Sequence, residues 1–209
     1  MSSLFNGGIS VSLFGESHGK GIGVVLDGLP AGEPLDLDEI GTFMARRAAK
    51  KDGTSTLRLE KDIPDILSGF YEGKTTGTPL AAVIFNAEQH SADYGNISHI
   101  ARPAHADYTG FIRYNGANDP RGGGHFSGRI TAPLVFAGAV CAQILKRRGI
   151  TTGAHIRSLR SIADEDFDPV NVTAEQLEAV KSRSFPVISD EAESKMRAEI
   201  LSAREQLNS

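Results

Sequence analysis

Apolar and polar residues alternate in the first third of the chain in the way that half-buried strands require. Residues 9–14 alternate along their length, and residues 21–27 form a second apolar run rich in β-branched side chains. The polar segment 15–19 separates these runs, so it is expected to form either a turn or a functional site. Residues 66–86 contain two more β-rich runs around a glycine-rich loop at 72–79. The pattern therefore predicts two pairs of strands, each joined by a polar loop.

A helical period follows the second strand. Asp36 and Asp38 can cap a helix in which Leu37, Ile40 and Met44 share one face. This helix is expected to end in a basic cluster, which suits the negative end of a helix dipole and could face an anionic ligand. The cluster consists of Arg46, Arg47, Lys50 and Lys51.

Longer helices are predicted in the second half of the chain. Residues 130–148 form an apolar stretch rich in small residues that ends at Gly149, which predicts a buried helix with a glycine stop. Thr173 and Gln176 have the spacing of a capping box, and Ser189 opens an amphipathic helix near the C-terminus. The pattern reveals no chemistry in these last helices.

Composition narrows the class of protein. The chain has 209 residues, of which 40% are hydrophobic and 23% charged, as is usual for a soluble globular protein of one or two domains. The N-terminus lacks a basic segment followed by an apolar run, and no stretch approaches the roughly 18 apolar residues that span a bilayer, so a cytoplasmic location is expected. The net charge of −4 argues against nucleic-acid binding. The single cysteine, Cys141, has no disulfide partner and is expected in the core.

Three polar segments, each with a histidine, are candidates for chemistry. Glycine lets the backbone approach a ligand closely, and histidine exchanges a proton near neutral pH. Together they suggest acid–base work on a bound anion. The segments are residues 15–19 with His18, residues 102–108 with His105, and residues 121–129 with His125.

The segment 121–129 is the most informative of the three. Its glycine run is followed by Ser127 and then by a helix, an arrangement that leaves several backbone N–H groups pointing at one spot. Such a spot favours a phosphate or an anionic ring. Segment 15–19 lacks the Walker A spacing, and no G-x-G-x-x-G fingerprint follows a strand, so neither a P-loop nor a Rossmann site is predicted.

Other chemistries stay open on the residues alone. Segment 15–19 fits the G-x-S-x-G pattern of a nucleophilic serine at Ser17, although partners for it cannot be identified. A small phosphate- or nucleotide-binding module without catalysis is a second alternative. A metal-dependent hydrolase is a third, although the spacing of its ligands matches no metal motif. Its candidate ligands are Glu16, His18, His105 and Asp107.

The same segments carry a resemblance to a known family. Residues 14–30 resemble the first signature of chorismate synthases nearly position by position. Residues 102–109 are similar to the family's R-P-G-H-A-D-Y-T, with Ala104 in place of glycine. Residues 119–129 resemble its D-Y-R-G-G-G-R-S-S-A-R with several substitutions. Because order and spacing also agree, the resemblance covers most of residues 5–150 and continues more weakly to the end.

This resemblance implies a fold and a reaction. The expected fold class is α+β, a layered β-α-β sandwich that assembles as a homotetramer. Residues 1–209 would be the N-terminal part of a single chorismate synthase domain, incomplete at the C-terminus. The implied reaction is the anti-1,4-elimination of phosphate from 5-enolpyruvylshikimate 3-phosphate, which gives chorismate in the shikimate pathway of aromatic amino acid biosynthesis. It requires reduced FMN, with NADPH as the reductant of the flavin.

Site residues follow from the resemblance position by position. His18 corresponds to the family histidine beside the substrate phosphate, and His105 to the one that protonates or steadies the reduced flavin. An arginine that the family uses next falls on Thr56, and Arg58 is expected to substitute for it. His125 stands where the family has an arginine, which leaves a weaker, pH-dependent cation. The implied substrate-binding residues are Ser17, Arg47, Arg102 and Arg129, and the implied cofactor-binding residues are Arg47, His125, Phe126 and Ser127.

Overall fold

The computed structural model describes residues 3–48, 54, 62–87 and 100–208. These residues fall into two compact units, of which the first holds residues 3–48, 62–87 and 100–143 and the second holds residues 54 and 144–208. The strands are β1 Leu4–Asn6, β2 Ser10–Gly15, β3 Gly21–Asp27, β4 Asp65–Ser68, β5 Phe70–Tyr71, β6 Lys74–Thr75, β7 Leu80–Phe85, β8 Ser158–Leu159 and β9 Ile162–Ala163. The helices are α1 Leu37–Arg47, α2 Asp107–Tyr114, α3 Thr131–Arg147, α4 Ala174–Ser182 and α5 Asp190–Glu205.

A five-stranded antiparallel sheet organises the first unit. Its strand order is β1-β2-β3-β7-β4, and β5 pairs with β6 in a separate small hairpin. Strands β2 and β3 pair from Ser10 opposite Asp27 to Gly15 opposite Ile22, so the polar segment 15–19 is the turn between them. The predicted strands at 9–14 and 21–27 are confirmed. The β-rich stretch 66–86 is also confirmed, although it is divided among four strands, β4 to β7.

One face of this sheet forms the core of the first unit. Alternate residues on β3, among them Ile22 and Leu26, lie opposite Ile84 and Leu80 of β7, and all four are buried. The two-residue period of a strand places this whole set on one side. Helices contribute further buried apolar residues to this unit, among them Ile40 and Met44 of α1 and Phe136 and Val140 of α3.

Helix α1 forms as its sequence pattern predicts. The Asp36 carboxylate accepts hydrogen bonds from the backbone N–H groups of Asp38 and Glu39, so Asp36 is the N-cap. Of the three apolar residues expected on one face, Ile40 and Met44 are buried, whereas Leu37 in the first turn is exposed.

Helix α3 is the buried helix expected before Gly149, which takes a positive φ of 73°. The Gln143 side chain and the Asp36 backbone exchange two hydrogen bonds of 3.0 and 2.9 Å, which tie α3 to the start of α1. Cys141 is half-buried rather than fully in the core as expected, and burial raises the pKa of its thiol.

No stretch was expected to be long and apolar enough to span a bilayer. By length and composition, this expectation was wrong. The segment Gly128–Arg147, which contains α3, has 20 residues and a mean hydropathy of 1.5 in its most apolar window. That window is 56% buried within the structure, and Phe136 and Val140 lie in the core. Core helices of folded domains pass the same test, so the segment by itself decides nothing about a membrane.

The second unit has a small core of its own. Phe185 and Val187 pack with Ala192 and Met196 of α5, and partly buried residues from β8, β9 and α5 join them. The capping box of Thr173 and Gln176 and the Ser189 cap are both confirmed. Lys195 and Arg197 form i,i+4 ion pairs on α5, with Glu191 and Glu193.

Candidate functional site

The first and third sequence motifs meet in the first unit. The backbone N–H of Ser17 donates to the carbonyl of Gly124 at 3.1 Å. The Ser17 hydroxyl lies 3.2 Å from the carbonyl oxygen of Gly122 and 3.4 Å from that of Arg121, and the residue is fully buried. The β2–β3 turn and the glycine run, which are about a hundred residues apart in sequence, are therefore held together by hydrogen bonds.

His18 lies at this junction. Its Nδ1 is 3.0 Å from the Ser17 Oγ, and the residue is only 8% exposed. The carbonyls next to Ser17 can only accept hydrogen bonds, so the Ser17 hydroxyl proton points to them and its oxygen accepts from Nδ1–H of His18. The imidazole of His18 is a group that can exchange a proton near neutral pH.

Glycine is required where the run 122–124 passes the histidine. All three glycines have positive φ, and a Cβ on Gly122 would lie 2.0 Å from Cε1 and 2.1 Å from Nδ1 of His18. A Cβ on Gly124 would lie 2.3 Å from the carbonyl oxygen of Asp119. The run therefore adopts a shape that side chains would block, and it packs directly on the imidazole of His18.

Asp119 and Arg121 form an ion pair beside this run. The Arg121 guanidinium contacts the Asp119 carboxylate through Nε at 2.9 Å and through a terminal nitrogen at 2.7 Å. Hydrogen bonds from Arg121 lower the pKa of Asp119, and the positive charge of His18 adds to this effect. Asp119 is therefore a carboxylate at neutral pH.

A pocket of about 330 Å³ adjoins the junction. The ring centroids of Phe126 and Tyr114 in its wall lie 6.0 Å apart. Phe126 also lies over Gly110 of α2, where a Cβ would be 2.7 Å from its ring. The pocket thus combines an aromatic wall with carboxylates. It is lined by Glu16, Tyr114, Ala117, Asn118, Asp119, His125 and Phe126.

His125 uses both of its ring nitrogens within the structure. Nδ1 lies 2.8 Å from the carbonyl oxygen of Gly15 and Nε2 lies 2.5 Å from the Ser3 Oγ. A carbonyl oxygen only accepts, so Nδ1 carries a proton and, in the neutral ring, Nε2 accepts from the Ser3 hydroxyl. His125 thereby ties the N-terminal residues to the end of β2.

Arg47 and Arg129 are brought together by a residue that the sequence did not indicate. Asp62 accepts from Arg47 at 2.5 Å and from Arg129 at 2.6 Å, and its side chain is 2% exposed. The Arg129 side chain is 7% exposed and that of Arg47 25% exposed. Two guanidinium groups therefore share the one carboxylate of Asp62.

Asn86 connects this cluster to the His18 turn. Its Oδ1 accepts from Nε of Arg129 at 2.6 Å, and its Nδ2 donates to the carbonyls of Glu16 at 3.0 Å and Gly19 at 2.9 Å. Asn86 is the polar residue directly after β7, and a polar residue that ends a strand is the same signal that singled out residues 15–19. Asp62 had no comparable signal, because its partners are distant in sequence.

The second motif forms a cluster of its own at the start of α2. Arg102 contacts both carboxylate oxygens of Asp107, at 2.7 and 3.0 Å, and these hydrogen bonds lower the pKa of Asp107 to about 2. His105 is exposed, and its Nδ1 lies 2.9 Å from the carbonyl oxygen of Pro103. Ala104 has a φ of 60°, a conformation in which glycine, the residue of the family pattern, is more stable. Helix α2 continues from this cluster to Tyr114 in the pocket wall.

The other predicted residues have simpler positions. Ser127 caps the 3₁₀ turn at 128–130 by accepting from the backbone N–H of Arg129. Across residues 3–48, 54, 62–87 and 100–208, His, Cys, Asp and Glu side chains form no group of three or more that could hold a metal ion. His155 is largely buried and paired with Asp164. Four residues named from sequence lie outside the described residues, namely Lys50, Lys51, Thr56 and Arg58.

Comparisons with known proteins agree on one family. The family model described as "Chorismate synthase" matches residues 9–209. A chorismate synthase of Nitratiruptor sp. is 50% identical over 160 residues, which are 76% of this chain and 44% of that protein. One from Pyrococcus abyssi is 43% identical over 197 residues, which are 94% of this chain and 53% of that protein.

A solved structure leads to the same family. The structure titled "Crystal Structure of Chorismate Synthase" superposes with a TM-score of 0.66 at 29% identity, and the match covers 95% of this chain and 53% of that one. The α+β fold expected from the sequence is thereby confirmed. The chain spans about half the length of the relatives that it matches.

Proposed function

The chain belongs to the chorismate synthase family, and we propose that it supplies the phosphate-leaving side of the reaction that converts 5-enolpyruvylshikimate 3-phosphate to chorismate. This reaction is a 1,4-elimination, catalysed by a carbon–oxygen lyase. The observation that carries the proposal is the junction of His18 with Ser17 and Gly122. It places a proton-exchanging group on a rigid support built from two of the family's motifs.

His18 is proposed as the group that receives the departing phosphate. Ser17 fixes the Nδ1–H side of the ring. Nε2 is proposed to donate its proton to a phosphate oxygen as the carbon–oxygen bond breaks. A protonated imidazole also neutralises the charge that develops on the leaving group. The Asp119 carboxylate and a positively charged His18 attract each other.

The arginine cluster is proposed to add positive charge to the same side of the site. Arg47 is the more exposed of the two arginines on Asp62, so it is the better candidate to touch the anionic substrate or a nucleotide. Arg129 is almost fully buried and is proposed to act indirectly, through its hydrogen bonds with Asn86 and Asp62. Arg102 is proposed to hold the second motif in place through Asp107.

The pocket beside His125 suits part of a flavin. Phe126 and Tyr114 offer apolar surfaces on which a flat isoalloxazine ring can pack. Glu16 and Asp119 lie in the same wall, so the phosphate of FMN would bind elsewhere, at cationic side chains. When bound, reduced FMN would supply electron density to the substrate as phosphate leaves.

His105 is proposed to act toward the flavin. Because Nδ1 is occupied by the Pro103 carbonyl, Nε2 is the nitrogen that the exposed ring presents. A proton held at Nε2 would stabilise the negative charge of the reduced flavin.

The proposal extends to the cellular location, the reductant and the oligomeric state of the protein. We propose a cytoplasmic enzyme that uses NADPH to reduce its FMN and that forms a homotetramer in its intact form. The second face of the sheet supports an assembly of subunits, because Phe14 and Phe85 project from it and are 40% and 63% exposed. Burial of such a face against another copy or another part of the protein would stabilise it.

Anaerobic assays with reduced FMN test the function. The chain is mixed with substrate alone and again after addition of the C-terminal half of the Nitratiruptor sp. relative, and chorismate formation is followed. The variant His18→Asn keeps a donor near the Nδ1 position but cannot carry the proton, so it is expected to lower the rate by roughly 10²- to 10⁴-fold. An unchanged rate in this variant would exclude His18 from the reaction.

The same assay separates a second candidate. Because the chain spans about half of its relatives, it could act as a phosphate-binding module without catalysis. That candidate predicts binding of inorganic phosphate, measured by calorimetry, with no chorismate formed in either mixture.

A further inference from the structure

The Asn86 amide has every hydrogen-bonding group engaged around the His18 turn. Nδ2 donates to Glu16 and Gly19, and Oδ1 accepts from Arg129. Backbone carbonyls only accept and the guanidinium only donates, so the three contacts fix the orientation of the amide. The backbone N–H of Asn86 also donates to the carbonyl of Lys20 at 3.1 Å.

These bonds hold the turn on both sides of the histidine. Glu16 precedes Ser17 and His18, and Gly19 follows them, so one side chain spans the segment that carries the imidazole. The N–H of Gly19 also bonds the carbonyl of Glu16 at 3.1 Å, which closes the turn. On the other side of Asn86, Arg129 is anchored to the buried carboxylate of Asp62 at 2.6 Å.

We propose that Asn86 is a positioning residue that sets the place of His18. The proposal rests on the function proposed above, since it concerns the same site. Asn86 acts through the turn and touches no reacting group. The anchored Arg129 fixes the amide, the amide fixes the turn, and the turn together with Gly122 fixes the imidazole.

No other side chain of similar size makes this set of bonds. An aspartate has the same shape and would keep the contact with Arg129, but it would bring a negative oxygen to about 3 Å from two carbonyl oxygens. A glutamine has both groups on a stem one methylene longer. A serine removes the amide without adding charge.

The test combines Asn86→Asp with Asn86→Ser. Asn6→Asp is the matched control, because Asn6 is an exposed residue of β1 whose Oδ1 accepts from Ser10, and an aspartate there keeps that contact while adding the same charge. Three quantities are measured for each variant. They are kcat and KM for chorismate formation in the two-part mixture, the NMR resonances and titration of the His18 imidazole in the full chain, and the melting temperature.

Both Asn86 variants are expected to change the His18 resonances and to lower kcat about 10²-fold, the loss that a misplacement near 1 Å produces, with little change in KM. Asn6→Asp is expected to match the unaltered chain. A lower melting temperature with unchanged His18 resonances in both Asn86 variants would overturn the proposal. If the unaltered mixture forms no chorismate, the proposed function fails, and the His18 resonances alone decide whether Asn86 positions the ring.

Discussion

Replacing Gly122 by alanine would push a methyl group into the ring of His18. The new Cβ would lie 2.0 Å from Cε1, whereas ordinary van der Waals contact begins at 3.4 Å, so the ring or the backbone has to move by 3.4 − 2.0 = 1.4 Å. The Ser17 hydroxyl, 3.0 Å from the same Cβ, limits movement on one side. The substitution therefore tests whether the glycine run determines where His18 lies.

The expected loss of stability has two parts. Gly122 has a φ of 58°, and a side chain in the left-handed region costs about 1–2 kcal/mol. Overpacking against a buried group costs about 1–3 kcal/mol more. Gly122→Ala should thus lower the free energy of unfolding by about 2–5 kcal/mol.

Gly123→Ala is the matched control for the backbone part. Gly123 has a φ of 89°, but its nearest neighbour is the Ser127 Cβ at 3.7 Å, which is ordinary contact. The control should therefore lose only the backbone contribution of about 1–2 kcal/mol. Urea denaturation measures both losses, and NMR spectra of the histidine side chains show whether the His18 resonances shift in Gly122→Ala alone.

Equal losses of stability in the two variants, with His18 resonances unchanged in both, would refute this reasoning. That result would mean that the glycine run and the imidazole are not in contact. A larger loss of stability in Gly122→Ala than in Gly123→Ala, with unchanged His18 resonances, would agree with the contact. It would show that the backbone moves and the ring does not.

Two further predictions concern ion pairs. Asp62→Asn leaves Arg47 and Arg129 without their shared carboxylate. It should lower the free energy of unfolding, measured by urea denaturation, by about 3–5 kcal/mol. A loss below about 1 kcal/mol would contradict the cluster. Asp107 has a folded pKa of about 2, held below 3.8 chiefly by hydrogen bonds from Arg102, so its ionised form stabilises the fold at neutral pH. Asp107→Asn should therefore lower the free energy of unfolding by about 2 kcal/mol at pH 7, and by progressively less as the pH falls from about 4 to 2. A difference in stability that does not depend on pH would be evidence against this pair.

Local patterns in the sequence were sufficient for most of the secondary structure. The alternation at 9–14 and 21–27 specified β2 and β3, since a two-residue period on a half-buried strand is a local property. The caps at Asp36, Thr173 and Ser189 were equally readable, because each bonds within a few residues of itself.

The motifs of the site were also visible in the sequence, but their relations were not. Nothing local indicates that Ser17 bonds the carbonyl of Gly124, or that His125, expected to touch a cofactor, has its ring nitrogens at Gly15 and Ser3. These contacts join residues more than a hundred positions apart, and which of them form depends on how the sheet and α3 place the loops.

By itself, the sequence determined the family, the main elements and the identity of the polar residues that could carry chemistry. Only the tertiary structure decided that Asp62 and Asn86 belong to the site, that Arg129 is buried behind it, and that Gly122 lies against His18. The physical reason is that a strand period or a helix cap depends on neighbours in the chain. Hydrogen bonds and charges in a site instead depend on neighbours in space, which the whole fold selects together.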